Sequence, residues 1–476
     1  MMTGIKAYPE TKESGLGWLG KIPKHWKLYR GKYLFKCIDI RSETGKEELL
    51  TVSAANGIVP RKTANVTMFK AESYIGYKLC WPNDLVINSL WAWAHGLGVS
   101  KYHGVISTAY GVYRPNKLFN PRFVHQLVRS KPFQWELQVR SRGIWTSRLQ
   151  LTDDSFLCAP FPVPPLPEQN AVVKYLDYMN SRINKHIKAK QKLIKLLEEQ
   201  KQAIIHEAVT QGLDPKVKMK PSGVECLGNV PAHWEILQVR RVISFITSGS
   251  RGWANFYSDS GSIFLQSGNL GRSMKPNLNS IQHVTPPSGS EGERTSVESN
   301  DVLVCITGAL TGNVVLVDED LPETAYVNQH VALLRPKPVT VVPKYLTYFL
   351  YSETGKNQFK TGEYGGTKQG LGLGEVKSVF LALPSNKEQK AICSHLDQKI
   401  AILEKLHQHQ KNEIELIQAY QVRLTSDVVT GKLDVRDATE NLPDMNELED
   451  IDLEDNLKSD EDIMEEMESV IEETEA

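Results

Sequence analysis

Cationic and amide side chains set among aromatic rings are the chemistry of a polyanion reader, and this chain concentrates them in two regions. The first covers residues 89–101 and continues through Tyr102, Ser107 and Tyr110, with Trp91, Trp93, His95 and Lys101 inside it. Arg140, Arg142 and Arg148 flank Trp145 a little further on. The second holds Ser250, Arg251, Trp253, Gln266, Asn269, Arg272, Asn313, Asn328, Gln329 and His330, and the glycine-broken loop 365–369 adds Thr367, Lys368 and Gln369. Lys and Arg answer phosphates, whereas Arg, Asn, Gln, Ser and Thr can pair with base edges. Each of these positions also suits an ordinary loop or core residue, and Trp91 and Trp93 favour packing over solvent.

Signatures of bond-making chemistry are missing. Gly45-Lys46, Gly355-Lys356 and Gly431-Lys432 lack the rest of a phosphate-binding loop. Gly370-x-Gly372-x-Gly374 has the wrong spacing for a dinucleotide fingerprint. Neither Pro164-Pro165 nor Pro286-Pro287 has the preceding Asn or Asp and following aromatic that would hold a flipped adenine. Glu375-Val376-Lys377 imitates half of a nuclease pair, with Asp301 as a distant carboxylate, and reads as a chance match. His407 and His409, two residues apart on a helix, point their rings to different faces and show no metal-ligand spacing. The chain therefore reads as non-catalytic, with no metal and no cofactor of its own.

Charge points the same way. The chain has 476 residues, with 56 Lys+Arg balancing 56 Asp+Glu. Eighteen of the acids follow Arg436, against one base, Lys458, so residues 1–436 carry 55 bases and 38 acids, a net of +17. A basic body with an acidic tail suits a polyanion partner. The tail reads as disordered, able to compete with phosphate or merely to solvate. The six cysteines form no Cys-x-x-Cys pair, and the N-terminus has no apolar signal core. With no run of about 18 apolar residues either, a cytoplasmic chain without a membrane partner is expected.

Positioning these residues falls to a duplicated framework. Residues 14–26 and 222–234 share seven identities in thirteen columns, ending in Pro23-x-His25-Trp26 and Pro231-x-His233-Trp234. A second pair of blocks matches Glu168-Gln169 with Glu388-Gln389, Leu176-Asp177 with Leu396-Asp397, and Val209-Thr210 with Val429-Thr430. So long a period means one duplication and not a solenoid. Residues 168–210 and 388–430 have apolar residues at 3-4 spacing: Leu176, Met179, Ile183, Leu193, Leu197 and Ile204 in the first, Leu396, Ile400, Leu403, Leu406, Ile417, Tyr420 and Leu424 in the second. Each predicts a helix of roughly 60 Å at ~1.5 Å per residue, and each stripe needs the other as partner. Regions 28–165 and 236–385 predict short strands with frequent turns. Asp84-Leu85-Val86-Ile87 matches Asp301-Val302-Leu303-Val304, and Val112-Tyr113-Arg114-Pro115 matches Leu333-Leu334-Arg335-Pro336. Pro160, Pro162, Pro164, Pro165 and Pro167 predict a stiff linker into the first helix.

Over residues 10–435 these features resemble the specificity (S) subunit of type I restriction-modification systems. The likeness rests on Gly20-Lys21-Ile22-Pro23 with His25-Trp26, on Leu227-Gly228 through Pro231 to His233-Trp234, on Pro167-Glu168-Gln169 with its Glu388-Gln389 counterpart, and on the Val-Thr…Leu-Asp helix ends. Trp91-Ala92-Trp93-Ala94-His95-Gly96 and Gly249-Ser250-Arg251-Gly252-Trp253 look like segments of its target recognition domains. The resemblance implies a mixed α/β fold. Two pseudo-symmetric recognition domains (1–165 and 213–385) would be joined by two long antiparallel, coiled-coil-like helices (166–212 and 386–435), with the acidic tail at 436–476. It implies that each domain reads one half of a split sequence in double-stranded DNA. The helices would set the spacer and dock two methyltransferase (modification) subunits, which bind S-adenosylmethionine and methylate adenine. Separate motor-nuclease (restriction) subunits would cut. The acidic tail departs from the family pattern. A DNA-binding enzyme fused to its own specificity domain is the alternative, and it lacks a spare segment of some 200 residues for the enzyme. A purely structural coiled-coil adaptor would not explain two diverged globules on a basic body.

Overall fold

The computed structural model describes residues 5–54, 56–64, 73–143, 149–249, 251–271, 273–286, 289–318, 321–362, 370–440 and 442–443. Arg148, Ser250, Arg272, Thr367, Lys368, Gln369 and the acidic tail beyond 443 lie outside these residues. The fold is mixed α/β. Two elements dominate it, the helices Leu166–Thr210 and Asn386–Val429. Neither has an internal Gly, and the one Pro, Pro167, sits in a first turn where its missing N–H costs nothing. Gly212 (φ +80°) and Gly431 (φ +76°) lie just past their ends, in a left-handed conformation that stops a helix.

The residues cluster into two compact units. Unit 1 comprises Met1–Lys192 with Lys411–Ala476, and unit 2 comprises Leu193–Gln410. Each holds about half of both long helices, where the globule-and-helix division 1–165, 166–212, 213–385 and 386–435 keeps them apart. The helices run antiparallel within each unit. In unit 1 the Gln421 amide donates to Asn180 Oδ1 (2.9 Å) and Lys190 pairs with Glu413 (2.7 Å), so one number rises as the other falls. In unit 2 Lys201, almost fully buried, reaches Glu404 at 2.9 Å. The apolar stripe is buried at Val172, Leu176, Met179, Ile183 and Ile187 in unit 1, against Leu424, Val428 and Val429. In unit 2 Ile205, Ala208 and Val209 join Ile392, Leu396 and Ile400 in one core. Two expectations shift by a residue or more. Ile205 is buried in place of Ile204, and Tyr420 lies on the exposed side.

Both units build the same sheet. In unit 1 the antiparallel order is Phe35–Cys37, Tyr110–Pro115, Leu85–Asn88, Leu97–Val99; in unit 2 it is Ile243–Ser248, Val331–Pro336, Val302–Cys305, Val314–Leu316. The matched motifs fall on equivalent strands. Arg114 clasps Asp84 through two hydrogen bonds (2.8 and 2.9 Å), and Arg335 clasps Asp301 likewise (both 2.9 Å). Both aspartates are buried, and the two-pronged guanidinium contact offsets the cost of burying their charge. Two helices follow in each unit, Pro121–Val128 and Lys131–Arg140, then Pro343–Tyr351 and Glu353–Gly362. The units differ beside the sheet. Unit 2 adds a second four-stranded sheet (Tyr257–Ser258, Gln282–Val284, Ser262–Leu265, Ala325–Val327), whereas unit 1 has the paired strands Leu50–Ser53 with Gly57–Pro60 and Lys78–Cys80 with Gly104–Ile106. The proline-rich step is not a free linker. Pro160–Val163 pairs with Lys27–Arg30, as Phe380–Leu383 pairs with Glu235–Gln238, because a two-stranded ribbon can leave a proline nitrogen on its unpaired side. Among the described residues no helix is long and apolar enough to cross a membrane.

Candidate nucleic-acid interface

The repeated sequence blocks meet at the start of each long helix. In unit 1 the Trp26 indole donates to Glu168 Oε1 (2.8 Å), His25 Nε2 lies 2.7 Å from Glu168 Oε2, and the Tyr8 hydroxyl donates to the same carboxylate. In unit 2 the Trp234 indole and His233 each lie 3.0 Å from the Glu388 carboxylate. The neighbouring glutamines complete the joint. Gln169 donates to the carbonyls of Leu118 and Pro164 and accepts from the Asn120 amide (2.8 Å). Gln389 does the same with Thr340, Pro384 and the Val342 amide (2.7 Å). Each helix start is thereby fixed to the loop entering a short helix of its own unit. Glu168 was legible only as one half of a repeat; its partners lie 142 to 160 residues away.

These joints hold the sheets, and the sheet ends present the candidate readers. In unit 1 the hairpin between Leu85–Asn88 and Leu97–Val99 turns at 89–96, carrying Trp91, Trp93 and His95. Tyr110 pairs with Asn88, the Ser89 hydroxyl donates to the Ala109 carbonyl, and the Leu151 amide donates to the Ser89 carbonyl. Arg142 pairs with Gln150 beside Leu151. Trp91, Trp93, His95, Ser107, Tyr110 and Arg142 therefore gather at one end of the sheet. Trp91 is 56% exposed and stacks beside Trp93 at 6.1 Å, while the Trp93 indole donates to the Leu90 carbonyl. Lys101 and Tyr102 are exposed at the opposite end, beyond Ser100, which pairs with Asp84. The reason is the hairpin: residues 89–96 and 100–102 flank the two ends of one strand. Arg140 is held by Glu136 at 2.5 Å on its own helix. Burial and the nearby Arg129 hold the His95 imidazole below its usual range, which suits a neutral hydrogen-bonding ring and not a phosphate counter-ion.

Unit 2 uses the equivalent sheet end. The Ile306 amide donates to the His330 carbonyl, Thr307 and His330 share a short side-chain hydrogen bond, and Gln329 lies 3.2 Å from the other ring nitrogen. The Gly249 amide donates to the Asn328 carbonyl, which brings the turn bearing exposed Arg251 to this edge. Thr307 was absent from the sequence candidates and is placed by its His330 contact. Three candidates are drawn inside. Trp253 is 2% exposed and stacks on Phe264 at 5.4 Å. Asn269 spends its amide on the carbonyls of Asn277 and Ser280 and its oxygen on the Gln266 amide. Asn328 is buried and caps the His330 amide. Gln266 reaches the Tyr257 hydroxyl and Asn313 the Leu270 carbonyl. Asn269, Asn313 and Asn328 thus shape the loops; burial withdraws Asn269, Asn328 and Trp253 from any ligand.

The glycine triplet also has a structural use. Gly370 bridges Thr307, and Gly372 opens the short helix Leu373–Ser378. Among the described residues no cluster of three His, Cys, Asp or Glu could hold a metal ion.

Residues 290–416 match the family model described as the type I restriction modification DNA specificity domain. Over those residues the chain is similar to that domain. The matched residues run from the short helix Ser290–Thr295 through three strands of the unit 2 sheet into the second long helix. The chain is 23% identical over 293 residues to the EcoBI specificity subunit of Escherichia coli, covering 60% of each. It is 22% identical over 441 residues to the putative MjaX specificity subunit of Methanocaldococcus jannaschii, covering 88% of this chain and 96% of that one. Its fold matches a chain from a solved type I R-M system assembly with a TM-score of 0.62 at 17% identity, over 86% of this chain and 98% of that one.

Proposed function

We propose that the chain is the non-catalytic, sequence-specific DNA-recognition subunit of a type I restriction-modification complex. Each unit reads one half of a bipartite, asymmetric target in double-stranded DNA. The long helices set the spacer and dock two methyltransferase subunits, which bind S-adenosylmethionine and methylate adenine; motor-nuclease subunits cut. The chain itself binds no cofactor. One observation carries the reading: the same sheet, on the same helix joint, presents polar and aromatic side chains at the same end in both units. Two homologous edges in one chain suit two half-sites. The edges differ in residues, with Trp91, Trp93 and Tyr110 in one and Thr307, Gln329 and His330 in the other, so the half-sites differ in sequence. The specificity-domain match supports the reading.

The test is an exchange of residues 28–165 for another recognition domain, expressed with the partner subunits, followed by methylome sequencing. One half-site is expected to change and the other to stay. A change in both halves would refute independent reading.

A further inference from the structure

Unit 1 contains an open pocket of about 770 Å3 between the helix Lys131–Arg140 and residues 418–426 of the second long helix. Trp18, Pro132, Trp135 and Val422 give it an apolar lining, joined by Lys131 and Arg423. Trp135 is 51% and Val422 50% exposed, and the Arg423 side chain is 84% exposed despite its pair with Asp427. Apolar surface of this kind, rimmed by charge, marks a docking site.

The duplication supplies an internal control. The unit 2 counterparts of Trp18, Pro132, Trp135 and Val422 are Cys226, Thr354, Asn357 and Gln202, by the alignments that match Trp26 with Trp234, Ser130 with Ser352, and Glu168 with Glu388. There the Thr354 hydroxyl bonds to His206 Nδ1 (3.0 Å) and to the Cys226 carbonyl (3.1 Å). That place is polar and tied together, so the fold does not require the apolar pocket of unit 1.

The occupant follows from where the chain goes next. Leu442 packs on the same core cluster as Trp18 and Ile417, and Pro443 is the last described residue. Residues 444–476 carry sixteen acids and one Lys. Among them Ile463, Met467, Val470 and Ile471 stand at i, i+4, i+7 and i+8, the spacing of one apolar helix face, with Asp460, Glu461, Asp462, Glu465, Glu466, Glu468, Glu472 and Glu473 around them. The nineteen residues 444–462 can span up to ~60 Å, and tethering raises the local concentration to about millimolar. We propose that residues 460–473 dock as an amphipathic helix in the Trp18–Trp135–Val422 pocket of their own chain, with their carboxylates facing Lys131 and Arg423. The apolar residues supply the affinity and the charges fix the orientation. The inference stands apart from the DNA-recognition reading and needs no partner subunit.

Hydrogen exchange of three full-length chains tests it: the natural one, Trp135→Ser, and the triple variant Ile463→Ser/Met467→Ser/Ile471→Ser. Amides 461–473 of the natural chain are expected to exchange about tenfold more slowly than in either variant. A benzoylphenylalanine in place of Met467 is expected to cross-link to residues 131–139 or 418–426, and this readout stands even if Trp135→Ser misfolds. Three results would overturn the proposal: an unprotected tail in the natural chain, protection that survives Trp135→Ser with cross-links to a sheet end, or protection that vanishes on tenfold dilution, which would mean a second copy.

Discussion

Glu168 is 4% exposed and receives three side chains, so its loss strands buried donors. Glu168→Gln is expected to destabilise unit 1 by about 2–3 kcal/mol, because bonds to a buried charge are the strong ones and an orphaned donor costs more than the bond gave. Glu388→Gln is expected to cost less, about 1 kcal/mol, since Glu388 is 29% exposed and its bonds are longer. Chemical denaturation of the two variants measures both. His125 sets a pH dependence. Burial, with Arg129 and Lys101 beside it, pushes its pKa down to about 4, and its Nδ1 accepts from the Val99 amide. The unfolded ring binds a proton near pH 6.5 and the folded ring does not until about 4, so stability is full above 6.5 and falls as pH drops toward 4. The loss amounts to up to about 3 kcal/mol. Natural chain minus His125→Gln, measured across that window, is expected to show this slope. At this scale the sequence was readable where a motif occurs twice, as at Trp26 and Trp234. It was not readable at Trp253, Asn269 and Asn328, because residue type does not reveal whether a distant carbonyl, amide or ring will claim the side chain.

The long helices were the most legible elements, because more than forty residues of one period leave little room for another reading. The four-stranded sheets were not. Their strands are two to six residues long and several pair with partners far off in sequence, so only the Asp84–Arg114 and Asp301–Arg335 echoes hinted at them. The helices also carry the spacer prediction. A heptad inserted into both, after Lys192 and after Gln410, keeps the stripes in phase and lengthens each by ~10 Å, about three base pairs. Methylome sequencing is expected to show a spacer longer by about three base pairs between unchanged half-sites. An unmoved spacer would mean the helices do not measure it.

The whole chain is neutral only by addition: a body of +17 is balanced by acids that come almost last. Binding of the full chain to random duplex is therefore expected to be electrostatic, weakening by at least about a hundredfold between 50 and 200 mM salt. Fluorescence anisotropy across a salt series measures this, and a flat response would remove phosphate contacts from the account. Residues near the N-terminus also meet the segment that follows the second long helix, within unit 1. Lys6 pairs with Asp434, Arg436 lies over the Tyr8 ring at 5.3 Å, and a Cβ at Gly431 would strike Pro23 at 2.4 Å. Unit 2 is one unbroken stretch, Leu193–Gln410, while unit 1 needs residues 411–436 to cover Val172, Leu176 and Met179. On a ribosome the stretch up to Lys192 must wait for residues 411–436, made more than two hundred residues later. Unit 2 can close while the chain is still being extended. Unit 1 stays open until the second helix emerges and returns to it, so a stalled or shortened transcript leaves the N-terminal unit with its apolar stripe bare.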